Sequence, residues 1–137
     1  MKITRIATAA VLLAACGHTP EAAHDALLSV EEAMVPGKTF GDAFDAHARV
    51  MEAHGLTRHR LNSCGYSVGA RFSPSWMEPQ VFHAGSSEPI APGMTLFAHM
   101  IVMDSDSGTA MTLGRTYLTG EGAPRPLSRH DLDLIVR

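Results

Sequence analysis

Two stretches in the first half of the chain carry apolar residues at the spacing of amphipathic helices. In the first stretch the apolar positions are Ala23, Leu27, Val30 and Met34. In the second stretch they are Phe40, Phe44, Ala48 and Met51. Helices are therefore predicted near 20–35 and 39–54. Because each helix has a single apolar stripe, both are expected to pack on one face of a sheet.

Residues that favour helix ends flank both stretches. Thr19 can cap the first helix, and Pro20 suits its first turn. Thr39 is followed three residues later by Asp42, which predicts a capping box at the start of the second helix. Gly55 follows the second apolar stripe and predicts its end.

Beyond Gly55 the pattern changes to short β-forming runs separated by turn residues. Strands are predicted at 65–72, 81–83, 94–103 and 110–119. The turn-forming run 104–108 predicts that the last two strands form a hairpin. Ser128 predicts the cap of a short terminal helix over 129–136. The expected fold class is α+β, with two helices packed on a curved, mostly antiparallel sheet.

The first sixteen residues admit two interpretations. A basic start and an apolar run end in Leu13-Ala14-Ala15-Cys16, which matches the cleavage box of a bacterial lipoprotein. Alternatively, residues 3–15 form a buried strand that opens the domain. The chain enters the first helix almost directly after Cys16, without the polar tether typical of a lipidated protein. The strand is therefore favoured, and with it a cytoplasmic location.

Composition narrows the class of protein. A chain of 137 residues, 45% of them hydrophobic, can bury one core, so a single domain over 1–137 is predicted. The formal net charge is -3 without long like-charge runs, which argues against nucleic-acid binding. Two cysteines are too few for a disulfide framework or a zinc cluster. No apolar run reaches the roughly 20 residues of a membrane-spanning helix, so a membrane is expected only with lipidation.

Five local motifs follow one another along nearly the whole chain: Ile3-Thr4-Arg5, Val35-Pro36-Gly37-Lys38-Thr39, Cys64-Gly65-Tyr66-Ser67-Val68-Gly69 with Pro74-Ser75-Trp76, Ile90-Ala91-Pro92-Gly93-Met94-Thr95 and Thr116-Tyr117-Leu118-Thr119. Together they resemble the metallopeptidases of the pita-bread fold. That family includes methionine aminopeptidases, Xaa-Pro dipeptidases and creatinases. The third motif is most similar to the branch that contains ectoine hydrolases and Xaa-Pro peptidase-like proteins. The resemblance implies the C-terminal part of a pita-bread domain.

The same resemblance implies where metal ligands would lie. Family members hold two divalent ions (Mn, Co, Zn or Fe) through two aspartates, one histidine and two glutamates. Both aspartates would precede residue 3, where this chain has Met1 and Lys2. The histidine position falls on Tyr66, and the glutamate positions fall on His99 and Gly114. Only His99 could bind a metal, so no dinuclear site and no cofactor are predicted for this chain.

Four residues are candidates for a cleft inherited from the family: Tyr66, Trp76, His83 and His99. Such a cleft could take a peptide or a small molecule, with Trp76 against a cationic or proline-like group. Each residue also has a structural interpretation. His83 and His99 can be hydrogen-bonded structural histidines, and Tyr66 and Trp76 can be packed aromatic side chains.

Two further candidates are interpreted as structural. Asp104 and Asp106 could form a carboxylate pair, but Asp-Ser-Asp-Ser-Gly is ordinary turn chemistry. Cys64 has no histidine close in sequence that would activate it as a nucleophile.

Three functional classes remain open. The first is a metallopeptidase-related hydrolase that works within a longer chain or by metal-independent chemistry. The second is a non-catalytic binding module or relic that uses the old cleft. The third is a small lipoprotein anchored at Cys16. Because a pita-bread domain has two equivalent halves, the chain is also expected to form a homo-oligomer or to bind a missing half-domain.

Overall fold

A computed structural model describes residues 19–69 and 77–132 of the chain. Within these ranges two helices precede five strands. The helices are α1 (Thr19–Ala33) and α2 (Phe40–Ala53). The strands are β1 (Ser63–Val68), β2 (Met77–His83), β3 (Thr95–Asp104), β4 (Thr109–Leu118) and β5 (Arg125–Pro126). The segment 3–15, Cys16 and Trp76 lie outside the described residues, so the predictions made for them stay predictions.

The capping box predicted for α2 is present. The Thr39 amide donates to the Asp42 carboxylate at 2.8 Å, and the Asp42 amide donates to Thr39 Oγ1 at 3.1 Å. These reciprocal bonds satisfy two amide groups that a helix start otherwise leaves unpaired. At the other end, Gly55 has a φ of 72°, in the left-handed region that glycine adopts at little cost.

The start of α2 is held against the loop between β2 and β3. The amides of Phe40 and Gly41 donate to the carbonyls of Glu88 (2.9 Å) and Ser86 (3.1 Å). A Cβ atom at position 41 would lie 2.6 Å from the Ser86 carbonyl oxygen, so this close approach requires glycine. The Phe40 ring also packs on Phe82 of β2, with centroids 4.8 Å apart. Together these contacts fix one end of α2 on the sheet.

The strands form one sheet in the order β2-β1-β3-β4-β5, and every neighbouring pair is antiparallel. The β3–β4 ladder runs without a register shift from Thr95 opposite Leu118 to Asp104 opposite Thr109. At its tip the Asp104 carboxylate accepts from the Asp106 amide at 3.0 Å and from Ser107 Oγ at 2.7 Å. The hairpin and the turn interpretation of this acidic run are confirmed.

The core lies between the helices and one face of the sheet. Alternate residues of β3 are buried on that face, namely Leu96, Ala98, Met100 and Val102. The predicted stripe of α1 is buried in full, and on α2 Ala48 alone of the predicted stripe is only partly buried. Burying each large apolar side chain contributes on the order of 1.5–3 kcal/mol, which makes this layer the main source of stability.

The predicted α+β fold is confirmed, with differences at several boundaries. Strand β2 starts earlier than the predicted 81–83, and β1 begins at Ser63 rather than 65. Strand β5 was not predicted because Arg125-Pro126 shows no β pattern in the sequence. It is a strand only because it pairs with β4. The prediction of a terminal helix is wrong for residues 129–132, which are not helical, while residues 133–136 lie outside the described residues. Of the helices that the structure describes, neither is long and apolar enough to cross a membrane.

Candidate functional site

The sheet face opposite α1 and α2 carries a different set of side chains, and we call it the helix-free face. Its members on β1, β3 and β4 include Tyr66, Phe97, His99, Ile101, Thr112, Gly114 and Thr116. They share one face because directly paired residues of antiparallel strands point to the same side and residues two apart do as well. The residues of β3 on this face are half-buried between Thr95 and Ile101, unlike the fully buried residues that alternate with them.

The three positions that the resemblance assigns to metal ligands lie together on this face. Tyr66 is the direct partner of Phe97, and His99 is the direct partner of Gly114. Tyr66 and His99 therefore both lie next to Phe97 on this face, and their ring centroids are 6.4 Å apart in an edge-on arrangement. The topology thus brings two of the four predicted cleft residues into one cluster.

An aromatic residue that the sequence analysis did not single out completes the cluster. The ring centroid of Phe97 lies 5.4 Å from that of Tyr66 and 4.9 Å from that of His99. These separations fall within the range of favourable aromatic pairs. The signal available in the sequence was position: Phe97 stands two residues before His99 in a strand, and so on the same face.

His99 is hydrogen-bonded within the sheet. Its Nε2 lies 2.7 Å from Thr112 Oγ1 on β4, a residue that the sequence analysis also missed. Burial lowers the pKa of His99 below its usual value of 6.5, so the imidazole is neutral at pH 7. Burial likewise raises the pKa of Tyr66, which keeps its phenol protonated. The cluster is therefore uncharged at neutral pH.

The ring of Phe97 also occupies the space beside Gly114. A Cβ atom at position 114 would overlap Phe97 Cζ and lie 2.9 Å from Phe97 Cε2. A carboxylate side chain at this position would first require the ring to move. The Phe97 ring thus fills the space that a side chain at position 114 of β4 would otherwise occupy.

The residues on this face do not fit the dinuclear metal site that the family implies. A divalent ion of that kind needs several carboxylate or imidazole ligands held in fixed geometry. The three ligand positions carry a protonated phenol, one neutral imidazole and no side chain at all. Nor do residues 19–69 and 77–132 contain a group of three or more His, Cys, Asp or Glu side chains suited to a metal ion.

The remaining candidates lie elsewhere. His83 is exposed at the end of β2, two residues beyond Val81, the partner of Tyr66, and its Nδ1 lies 2.9 Å from the Ala84 carbonyl oxygen. Cys64 is buried in the core, and burial raises the pKa of its thiol far above the usual value, which leaves it protonated and unreactive. Asp104 is engaged in the hairpin turn.

A cavity of about 440 Å³ lies at the hairpin end of the sheet, away from the aromatic cluster. Apolar side chains form part of its lining, including Pro20, Leu56 and Met111, and His59 and Asp104 add polar atoms. None of Tyr66, His83 and His99 lines it. The cavity therefore belongs to a different region from the aromatic cluster.

Comparison with known proteins identifies the fold. The model of the metallopeptidase family M24 matches residues 13–122, well over half of the chain. Among curated proteins no sequence gives a significant match. Solved structures that are similar include the prolidase from Pyrococcus horikoshii (16% identity, TM-score 0.77) and an Xaa-Pro dipeptidase from Bacillus anthracis (13%, 0.78). The N-terminal domain of a FACT complex subunit from chickpea, Cicer arietinum, is also similar (15%, 0.72).

These structures cover most of this chain, but the chain covers only a part of each of them. The match with the prolidase spans 87% of this chain and 33% of the prolidase. The corresponding shares are 88% and 32% for the dipeptidase, and 83% and 29% for the chickpea protein. At such identities the likeness establishes the fold, and it confirms the predicted partial pita-bread architecture. From the family match over residues 13–122, this chain belongs to metallopeptidase family M24.

Proposed function

We propose that this chain is a non-hydrolytic member of family M24 that binds a proline-containing peptide on its helix-free face. The observation that carries the proposal is the position of the Phe97 ring, which fills the space beside Gly114 and joins Tyr66 and His99. A surface that would need acidic ligands for hydrolysis presents instead a neutral aromatic cluster.

Hydrolysis by the family's chemistry would require a metal-bound water with a strongly lowered pKa. That effect depends on several fixed ligands and on residues that orient them. Here a single imidazole, already bonded to Thr112, stands where the family has a carboxylate. One neutral imidazole cannot hold two cations against water, so binding without turnover is the activity that this arrangement supports.

Aromatic side chains next to hydrogen-bonding groups suit a proline-containing ligand. Proline-rich peptides are recognised by grooves lined with aromatic rings, because their extended conformation is already formed before binding. On this face the rings of Tyr66, Phe97 and His99 can pack against a pyrrolidine ring. The hydroxyl group of Thr116 lies beside them on β4 and can donate a hydrogen bond to a peptide carbonyl group.

The comparisons support the proposed class of ligand. The prolidase from Pyrococcus horikoshii and the Xaa-Pro dipeptidase from Bacillus anthracis are named for proline-containing substrates, and they share this fold. The chickpea protein is named as a complex subunit, so the fold is also found in a component of an assembly.

The test combines an activity assay with a binding measurement on the 137-residue chain. Ala-Pro with added Mn²⁺ or Co²⁺ should show no turnover above the metal alone. N-acetyl-Ala-Pro-N-methylamide should perturb amide signals of β1, β3 and β4 in a nitrogen-15 NMR titration. Phe97→Ala should weaken this binding by about 5- to 10-fold, corresponding to the roughly 1 kcal/mol of an aromatic contact.

Met103→Ala is the matched control for the binding measurement. Met103 lies on the same face of β3, six residues beyond Phe97, and 49% of its side chain is exposed. The substitution should leave the affinity for the capped dipeptide unchanged. Metal-dependent turnover that His99→Ala abolishes would refute the non-hydrolytic assignment, and equal losses from Phe97→Ala and Met103→Ala would refute the location of the site.

A further inference from the structure

We propose that an apolar run of the chain's own N-terminal segment, Val11-Leu12-Leu13, occupies the cavity at the hairpin end of the sheet. The inference does not depend on the proposed peptide site, because the cavity and the aromatic cluster lie in different regions. Two observations carry it, namely the place where the N-terminal segment joins α1 and the chemistry of the cavity lining.

The N-terminal segment meets α1 at the cavity itself. Thr19 and Pro20 are the first two residues of α1, and both line the cavity. Because residue 18 is bonded to Thr19, the segment 1–18 leaves the helix at the cavity wall. Leu13 precedes Thr19 by six residues, which can span up to roughly 20 Å. This reach exceeds the width of a cavity of about 440 Å³, so the run can lie inside it.

The lining of the cavity is an extension of the hydrophobic core. Its apolar residues come from α1, from the loop after α2, and from β3 and β4, and they are Pro20, Leu56, Val102, Ala110 and Met111. Val102 belongs to the buried core, and Leu56 and Met111 pack against that core. Apolar side chains placed in the cavity would therefore remove further apolar surface from water.

The acidic and imidazole groups of the lining already have partners in the chain. The Asp104 carboxylate accepts hydrogen bonds from the Asp106 amide and from Ser107 Oγ. The His59 ring has its Nδ1 3.1 Å from the Met103 carbonyl oxygen. An occupant of the cavity therefore gains most from apolar contact.

The N-terminal segment supplies an occupant of this kind. Residues 6–17 carry no charged side chain, and 11–13 is the only place in 1–18 where three large apolar residues are consecutive. A leader peptide cleaved before Cys16 would remove this run. The proposal therefore assigns residues 11–13 to the domain and not to a lipoprotein signal.

The test places a thiol on the cavity wall and measures its reaction with iodoacetamide. Met111→Cys supplies the thiol in a Cys16→Ser background, and mass spectrometry follows each cysteine-containing peptide. Leu12→Ser combined with Leu13→Ser should accelerate the reaction at position 111 at least about tenfold, because the run no longer covers the wall. Met103→Cys is the matched control. Met103 is 49% exposed on β3 and does not line the cavity, so its rate should not change.

A second measurement needs no substitution in the run. In the methyl-labelled 137-residue chain, nuclear Overhauser effects should connect the methyl groups of Leu12 or Leu13 to those of Leu56 or Met111. Alkylation of Cys64 reports global unfolding in every sample, because this thiol is buried in the core. If the serine substitutions accelerate the reaction of Cys64, the Overhauser effects alone decide.

Equal rates at position 111 with and without the serine substitutions in a folded chain, or absence of the Overhauser effects, would overturn the inference. Protection that is lost on about tenfold dilution would assign the cavity to a second copy of the chain. A mass showing that residues 1–15 are missing from the purified wild-type protein would assign the run to a cleaved leader. Either of these two results also contradicts the proposal.

Discussion

His99 of β3 and Gly114 of β4 are direct partners across the antiparallel ladder, and the ring of Phe97 lies against the bare Cα of Gly114. The family resemblance places a carboxylate at each of the two paired positions. A carboxylate side chain introduced at only one of these two positions would therefore meet a neighbouring side chain that packs well only with the present residue. The packing of Phe97 against Gly114 can therefore be measured through the free energy of unfolding of variants at these two positions.

The first prediction is that Gly114→Ala destabilises the chain by about 1–3 kcal/mol, because the added methyl group overlaps the Phe97 ring. Urea denaturation measures the change in the free energy of unfolding. In a Phe97→Ala background the same substitution should cost much less. Gly120→Ala is the matched control, since a Cβ atom there would meet nothing within 4 Å. Equal costs in both backgrounds would show that the ring is not the obstacle.

A second prediction concerns the bond between Tyr117 and Glu31, which ties β4 to α1. The buried Tyr117 hydroxyl donates to the Glu31 carboxylate at 2.7 Å, and burial and this bond raise the pKa of the phenol. Tyr117→Phe should lower the free energy of unfolding by about 1.5–3 kcal/mol, the range for hydrogen bonds to charged groups. In a double-mutant cycle, Tyr117→Phe should couple to Glu31→Ala but not to Glu32→Ala, which is exposed. Additive effects for both pairs would contradict the bond's contribution.

The third prediction is a loss of stability in mild acid caused by His47. This histidine is 1% exposed, its Nδ1 has no hydrogen-bond partner in the part of the chain that is described, and burial, aided by Arg60, lowers its pKa from 6.5 to about 4. As the pH falls, His47 takes up a proton in the unfolded chain before it does so in the folded chain. The stability gained by keeping His47 neutral is therefore complete above pH 6.5 and is lost as the pH falls to about 4. The loss should approach about 3 kcal/mol.

Denaturation between pH 7.5 and pH 4 measures this effect, with His47→Leu as the test variant. The substitution removes the titrating group and should flatten the pH dependence in that window. His24→Leu serves as control, since His24 lies on α1 with 42% of its side chain exposed. A slope that survives in His47→Leu would assign the acid sensitivity to other groups.

The fourth prediction is that Cys64 resists alkylation in the folded chain. Its side chain is fully buried, and burial raises its pKa, so little thiolate forms and reagent has no access. In a Cys16→Ser variant, iodoacetamide should modify Cys64 at least about tenfold more slowly than in denaturant. Mass spectrometry of the Cys64 peptide follows the reaction. Comparable rates in both conditions would mean that β1 opens readily from the core.

Local features were predicted well from the sequence because they depend on neighbours in the chain. The Thr39–Asp42 capping box joins residues three positions apart, and the hairpin turn is closed by hydrogen bonds from Asp106 and Ser107 to the Asp104 carboxylate. The stripe of α1 repeats at helical spacing and is buried as expected. By contrast, β5 and the non-helical residues 129–132 depend on pairing and packing that no local pattern specifies.

The sequence by itself determined the two amphipathic helices, the β3–β4 hairpin and the identity of the residues at Tyr66, His99 and Gly114. Only the tertiary structure decided what surrounds them. Phe97 and Thr112 belong to the cluster because strand register places them beside His99, at sequence separations of two and thirteen residues. Register is fixed by burial of the opposite sheet face against α1 and α2, so the chemistry of the helix-free face depends on the packing of the core.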